Sequence, residues 1–328
     1  MRIPLRYICT PHAWRYVNNV DEFSGKFKRH GQTWDTTPSG VVMPVSKITD
    51  LSVRSKSNFL DIKERAVEIE NIYKNTGIRL DARSGLGQLI KHAKELSDNW
   101  LLGNNESFSY ETFFIGMHLD RIASNILLLG NIQEKAQFLK RLKSGSLNFF
   151  NRDKSEAKNI LWEIEVWAQL RKRIDSVELE EPPDIVVNFE NSKLGISCKK
   201  LYSEKHVQYV LSTAVKQIEK EFEFGIVAIN IDDLLPPGVV LKMDSSDAVI
   251  EKLHGFNTDF INRHVRHFQK YFLQSRIISV IVSTAVIVDV PPERPRFRNT
   301  FQWTVWSVTE MPEQQKVQLK KFYNLVMN

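Results

Sequence analysis

Pro183-Asp184-Ile185-Val186-Val187-Asn188-Phe189, then Glu190-Asn191-Ser192, then Lys193-Leu194-Gly195-Ile196-Ser197-Cys198-Lys199-Lys200: the reading of this run decides the fold. Both halves are rich in β-branched and apolar residues, and the polar triplet between them suits a turn, so the run predicts a β-hairpin. Alternation along a strand puts Leu194, Ile196 and Cys198 on one face and Gly195, Ser197 and Lys199 on the other. The apolar trio is expected in the core. That sends Lys199 to the polar face and leaves Lys200 with the core set, at the strand's end. An acid, Asp184, opens one strand, and an amine, Lys199, closes its neighbour.

Helical patterns flank the hairpin. Asn159 to Leu170 is strongly apolar, with Glu163 and Glu165 inside it. An ionised carboxylate within an apolar run is expensive to bury without a partner, so each glutamate needs a reason to be there. Residues two apart point roughly opposite ways on a helix, so both cannot share one face. Ser155 can cap the start of this helix. After the hairpin, Ser203 to Phe222 reads as a second helix, carrying Gln217.

Helix, hairpin with Pro183-Asp184, strand ending in Lys199, and second helix together resemble the PD-(D/E)xK nuclease superfamily, over roughly residues 155 to 231. The resemblance implies an α/β domain of restriction-endonuclease-like fold, with a mixed central sheet flanked by helices, hydrolysing phosphodiester bonds with Mg²⁺ or Mn²⁺. It matches Asp184 to the family aspartate, a metal ligand, and Lys199 to the catalytic lysine. A glutamate of the first helix completes such metal sites. Glu163 and Glu165 both match, and Glu163 is preferred. Gln217 matches the glutamine of the second helix in some members, where the amide positions nucleic acid or water. The sequence departs from the family at Ser197, where a second acid is expected two positions before the lysine. A helix glutamate is then needed to supply the missing carboxylate.

Composition sets the frame around this module. A chain of 328 residues has room for two domains. A polar break at Asn151-Arg152-Asp153-Lys154-Ser155 divides it into an N-terminal arm and all-helical domain over 1–150 and the nuclease-like α/β domain over 151–328. Hydrophobic residues at 42% and charged ones at 26% are those of an ordinary soluble protein. A net charge of +6 suits a polyanionic partner. The only cysteines, Cys9 and Cys198, lie far apart, which argues for a reducing compartment and against a thiolate metal cage. No secretory signal or membrane span is expected. The most apolar run, Ile277 to Val290, is short and β-branched, and reads as a buried strand. A cytoplasmic location is expected.

Elsewhere, aromatic residues from Tyr7 to Trp34 are interleaved with Arg15, Lys26, Lys28 and Arg29. They suit an arm packed on the helical domain, or stacking on bases. Helices are expected over 57–75, 86–102, 110–129 and 132–142. His92 and His118 stand alone, without ligand-spaced partners. Asp232-Asp233 closes a buried strand before a Pro-rich loop and reads as turn-forming. The segment 247–275 reads as one long helix or two. On it Arg263, Arg266, His267 and Lys270 fall three or four apart and form one basic stripe. With Lys200, these are the candidate nucleic-acid contacts; a solvated face suits the stripe equally. Phosphate-binding glycine loops and a GxSxG elbow are absent. The expected function is metal-dependent cleavage of nucleic acid, DNA in the first instance, with a homodimer allowed and no membrane partner. The alternatives are a nuclease-fold protein that binds without cutting, and a structural or interaction protein.

Overall fold

The reason Ile277–Asp289 is a strand along its whole length lies in its composition: β-branched residues recur throughout, and all thirteen positions are buried. The strand is the spine of the sheet. The computed structural model describes residues 27–29, 32–36, 42–44, 59–103, 109–130, 136–189, 192–308 and 310–327. Most of the aromatic and basic arm, Cys9 and Glu190-Asn191 of the expected turn lie outside these residues.

In chain order, β1 (Phe27–Arg29), β2 (Gln32–Thr36) and β3 (Val42–Pro44) form a small antiparallel sheet. The N-terminal part is therefore not all helical. Four helices follow: α1 (Phe59–Asn75), α2 (Gly85–Leu101), α3 (Tyr110–Gly130) and α4 (Ala136–Leu142). Ser84 caps α2 by accepting from the Gly87 N–H. By length and composition α3 could cross a membrane, but it is packed inside the protein, with 72% of its most apolar window buried.

Next come α5 (Glu156–Arg171), β4 (Val177–Leu179), β5 (Ile185–Phe189), β6 (Ser192–Lys200), α6 (Val207–Glu221), β7 (Phe224–Asn230) and β8 (Val240–Lys242). The chain closes with α7 (Ser246–Arg263), α8 (Val265–Gln274), β9 (Ile277–Asp289), β10 (Phe297–Trp306) and α9 (Glu313–Met327). The sheet runs β10-β9-β7-β6-β5-β4, and β8 pairs with the far half of β9. It is mixed. β4–β5, β5–β6 and β9–β10 are antiparallel, whereas β6–β7, β7–β9 and β8–β9 are parallel. Parallel neighbours need a covered crossover, and α6 supplies it between β6 and β7.

Helices cover the sheet, so the face carrying Gly195, Ser197 and Lys199 is not a solvated one. A Cβ at Gly195 would lie 2.9 Å from Phe222, just past α6, and Ser197 is fully buried. The helix α5 lies against β6 and β4, and α3 packs on α5, β9 and β10. The main hydrophobic core extends from Ile62 in α1 to Val326 in α9, and a smaller one gathers Val249 and Leu253 with Val286, Val288 and Val290.

Ser155 departs from expectation: it precedes α5 in an extended conformation but makes no side-chain cap. Its hydroxyl donates instead to the Ser146 carbonyl, tying α5 to the preceding loop.

Candidate active site

Asp184 sits one residue before β5, across the antiparallel ladder from β6. Its N–H donates to the Ile196 carbonyl, which fixes it opposite Ser197. The carboxylate oxygen Oδ2 accepts from the Cys198 N–H at 2.5 Å and lies 3.4 Å from Lys199 Nζ. Ser197 Oγ is 3.3 Å from the same oxygen and 2.8 Å from Gln217 Oε1 on α6. Strand alternation and the crossover helix thus bring Asp184, Ser197, Lys199 and Gln217 together.

The electrostatics bring in Glu163 from α5. Burial, and then the neighbouring Asp184 charge, push its carboxyl up to about 8, while Arg141 and Lys199 pull the other way. Burial likewise holds the Asp184 carboxyl above its ordinary value, against the opposing pull of Lys199 and the Cys198 N–H. The two carboxyls thus feel each other's charge in a dry place, and the Lys199 ammonium opposes both shifts. The Lys199 side chain keeps 19% of its exposure against 7% for Asp184, so the amine marks the open side. At the rim, Arg141 of α4 bridges Glu156 and Glu181 at 2.6 and 2.7 Å.

Glu165 belongs elsewhere. It faces α3, where Arg121 grips it with Nε at 2.8 Å and a second nitrogen at 2.9 Å. Arg121 also reaches Asp232 at 2.8 Å. The assignment of Glu165 to the metal is therefore corrected: its lone pairs are committed to a buried guanidinium. Lys200 is corrected as a nucleic-acid contact. Its side chain is 2% exposed, bonded to Asn230 at 2.6 Å and paired with Asp233 at 3.1 Å. Asp233 also pairs with Arg152 at 2.9 Å. Asp232 and Asp233 are thus ion-pair acceptors rather than mere turn residues. Among the described residues, no group of three or more His, Cys, Asp or Glu side chains is placed to hold a metal.

The basic stripe is broken. His264 ends α7, and α8 starts at the next residue, so Arg263 stands on a different helix from Arg266, His267 and Lys270. Arg263 pairs with Glu204 at 2.7 Å, and the His267 ring stacks towards His264. Arg266 and Lys270 are exposed. His118 is buried with neither ring nitrogen hydrogen-bonded, and it stacks on Phe149.

Sequence reasoning missed Arg121 and Arg141. For Arg121 a signal existed: a charge inside the apolar run Phe113 to Leu129 requires a partner. Nothing local said that the partners were Glu165 and Asp232. Comparison with protein-family models, with curated proteins and with solved structures finds no match.

Proposed function

We propose that this protein is a metal-dependent nuclease of the PD-(D/E)xK type, acting on DNA in the first instance. The observation that carries the reading is the pairing of Asp184 with Lys199 at the open end of the β5–β6 hairpin, where the Asp184 charge also bears on Glu163. The succession α5, β4, β5, β6, α6, β7, antiparallel through the hairpin and parallel across the crossover, supports a restriction-endonuclease-like core.

The residues present fit a divalent cation. Two buried carboxyls whose ionised forms repel each other would be relieved by a nearby cation, and Mg²⁺ is commonly held by only one or two carboxylates. Asp184 and Glu163 would hold it, and Mg²⁺ or Mn²⁺ there would polarise the phosphodiester and acidify a bound water. Lys199 places its ammonium where negative charge gathers on the phosphate oxygens, a stabilisation that strengthens in a water-poor site. Ser197 carries one hydroxyl proton, so it can serve only one of its two acceptors. With the Gln217 amide turned to present its NH₂, a chain runs from Gln217 through Ser197 to Asp184 and fixes the carboxylate. Ser197 thus positions an acid rather than replacing one.

The test is cleavage of single- and double-stranded DNA and RNA with Mg²⁺ or Mn²⁺, comparing wild type with Lys199→Ala. Loss of about 100-fold or more in rate is expected. Equal cleavage by both proteins removes Lys199 from the chemistry. The neutral Ser197 favours one second reading, a nuclease-fold protein that binds without cutting. Tight binding with no divalent-dependent cleavage selects it.

A further inference from the structure

A cavity lies on the other side of α5, between that helix, α3 and the β9–β10 hairpin, with a volume of about 220 Å³. Phe301 presents the open aromatic face, backed by Trp162 and Trp303, each only 2% exposed. Trp162 and Trp303 meet edge to face at 6.2 Å, and Phe301 tilts against Trp303 at 6.3 Å. The Trp162 indole N–H is already committed to the Ala228 carbonyl, so its ring contributes surface alone. Polar groups line the rest. The buried Gln169 and Ser283 border the cavity, and Glu165 borders it with its Arg121 partner. Lys172 stands beside Gln169, its Nζ 3.4 Å from Oε1, and forms no ion pair among the described residues. Desolvation alone lowers its affinity for a proton.

An aromatic wall offers stacking to a flat ring, polar side chains can read the ring's edge, and an unpaired ammonium invites an anion. We propose that this cavity binds a planar heteroaromatic ring carrying an anionic group, the chemistry of a nucleoside monophosphate. The ring lies on Phe301, which Trp303 supports from behind, and the phosphate meets Lys172. The volume suits a single ring system and its substituent, not a polynucleotide chain. A site of this kind is separate from the Asp184 cluster and does not depend on the nuclease reading.

Calorimetric titration of the full chain with AMP, GMP, CMP and UMP tests it, with adenosine and inorganic phosphate as the two halves of the ligand. At least one mononucleotide is expected to bind more tightly than either half. Lys172→Gln, at an exposed position, should weaken it about five-fold in low salt, with the difference fading as salt rises. Phe301→Ala, on the edge strand, should weaken it about ten-fold or more through the loss of stacking. A melting curve for each variant shows that the fold is kept. Heat from no mononucleotide at millimolar concentration overturns the proposal. So does binding equal to that of phosphate alone, or binding that neither variant changes. A 5′-phosphorylated oligonucleotide as a further arm separates a free mononucleotide from a strand end: tighter binding of the oligonucleotide than of the monomer overturns the single-nucleotide assignment.

Discussion

Replacing Glu163 by glutamine should make the metal-free protein more stable while removing its cleavage activity. The Glu163 carboxyl rises from 4.5 to about 8 on folding, through burial first and the Asp184 charge second. The sign follows from proton counts. Between these two values the folded state binds more protons than the unfolded one, so stability falls as pH rises across the window. Below the lower value both states are protonated and nothing is lost; above the upper one the full cost is felt. With one pKa unit equal to about 1.4 kcal/mol, the cost is about 2 kcal/mol at about pH 6 and about 4 kcal/mol at about pH 8. Glutamine keeps the shape and carries no charge, so Glu163→Gln should recover up to that amount. An unfolding entropy of about 2.1 cal/mol/K per residue makes 1 kcal/mol worth about 1.5 °C in a chain of 328 residues. Melting in EDTA should therefore show the variant ahead by about 3 °C near pH 6 and about 6 °C near pH 8. Millimolar Mg²⁺ should raise the wild-type Tm and leave the variant's nearly unchanged. A variant that melts no higher than wild type near pH 8, or a gap that does not widen with pH, refutes the picture of two carboxyls confined without a cation.

Three further outcomes are expected. Glu165→Ala strands part of a buried guanidinium and should cost about 3 kcal/mol in urea unfolding, far more than an exposed ion pair would; a loss below about 1 kcal/mol would mean that water replaces the pair. At Gly225 a Cβ would stand 2.3 Å from Ile218 of α6 and 2.9 Å from the Gly195 carbonyl oxygen, so Gly225→Ala should destabilise by about 1–3 kcal/mol, read by the same titration. Joint replacement of Arg266 and Lys270 by alanine should lower the slope of log K against log salt for DNA by about 1 for each phosphate that is no longer neutralised. An unchanged slope places the nucleic acid on another surface.

Local chemistry made the hairpin legible, because period-two alternation and the turn residues act within a few positions of each other. The long helices were legible for a similar reason: Gly77 and Gly103 stop α1 and α2 with the positive φ that glycine tolerates. The grouping of Asp184, Ser197 and Lys199 followed from neighbouring strands, and Gln217 needed only the next crossover. What could not be read came from distance along the chain. Arg121 meets Glu165 across 44 positions, and Lys200 meets Asn230 across 30. A residue's own neighbours carry no record of such pairings, so Lys200 read as a contact and Asp232-Asp233 as a turn. The break at His264 was open for another reason. The sequence on both sides favours helix, and His264 instead turns its ring to Glu204, 60 positions earlier.

The helix α5 presents Glu163 towards Asp184 and, two residues on, Glu165 towards Arg121. A rigid rod gripped at one flank sets the roll of the other. Rolling it by a few degrees to suit one carboxylate drags the other off its partner, so the geometry at Asp184 is hostage to the clamp that Arg121 applies from the opposite flank. A change at Arg121 in α3 should therefore reach Asp184 through α5.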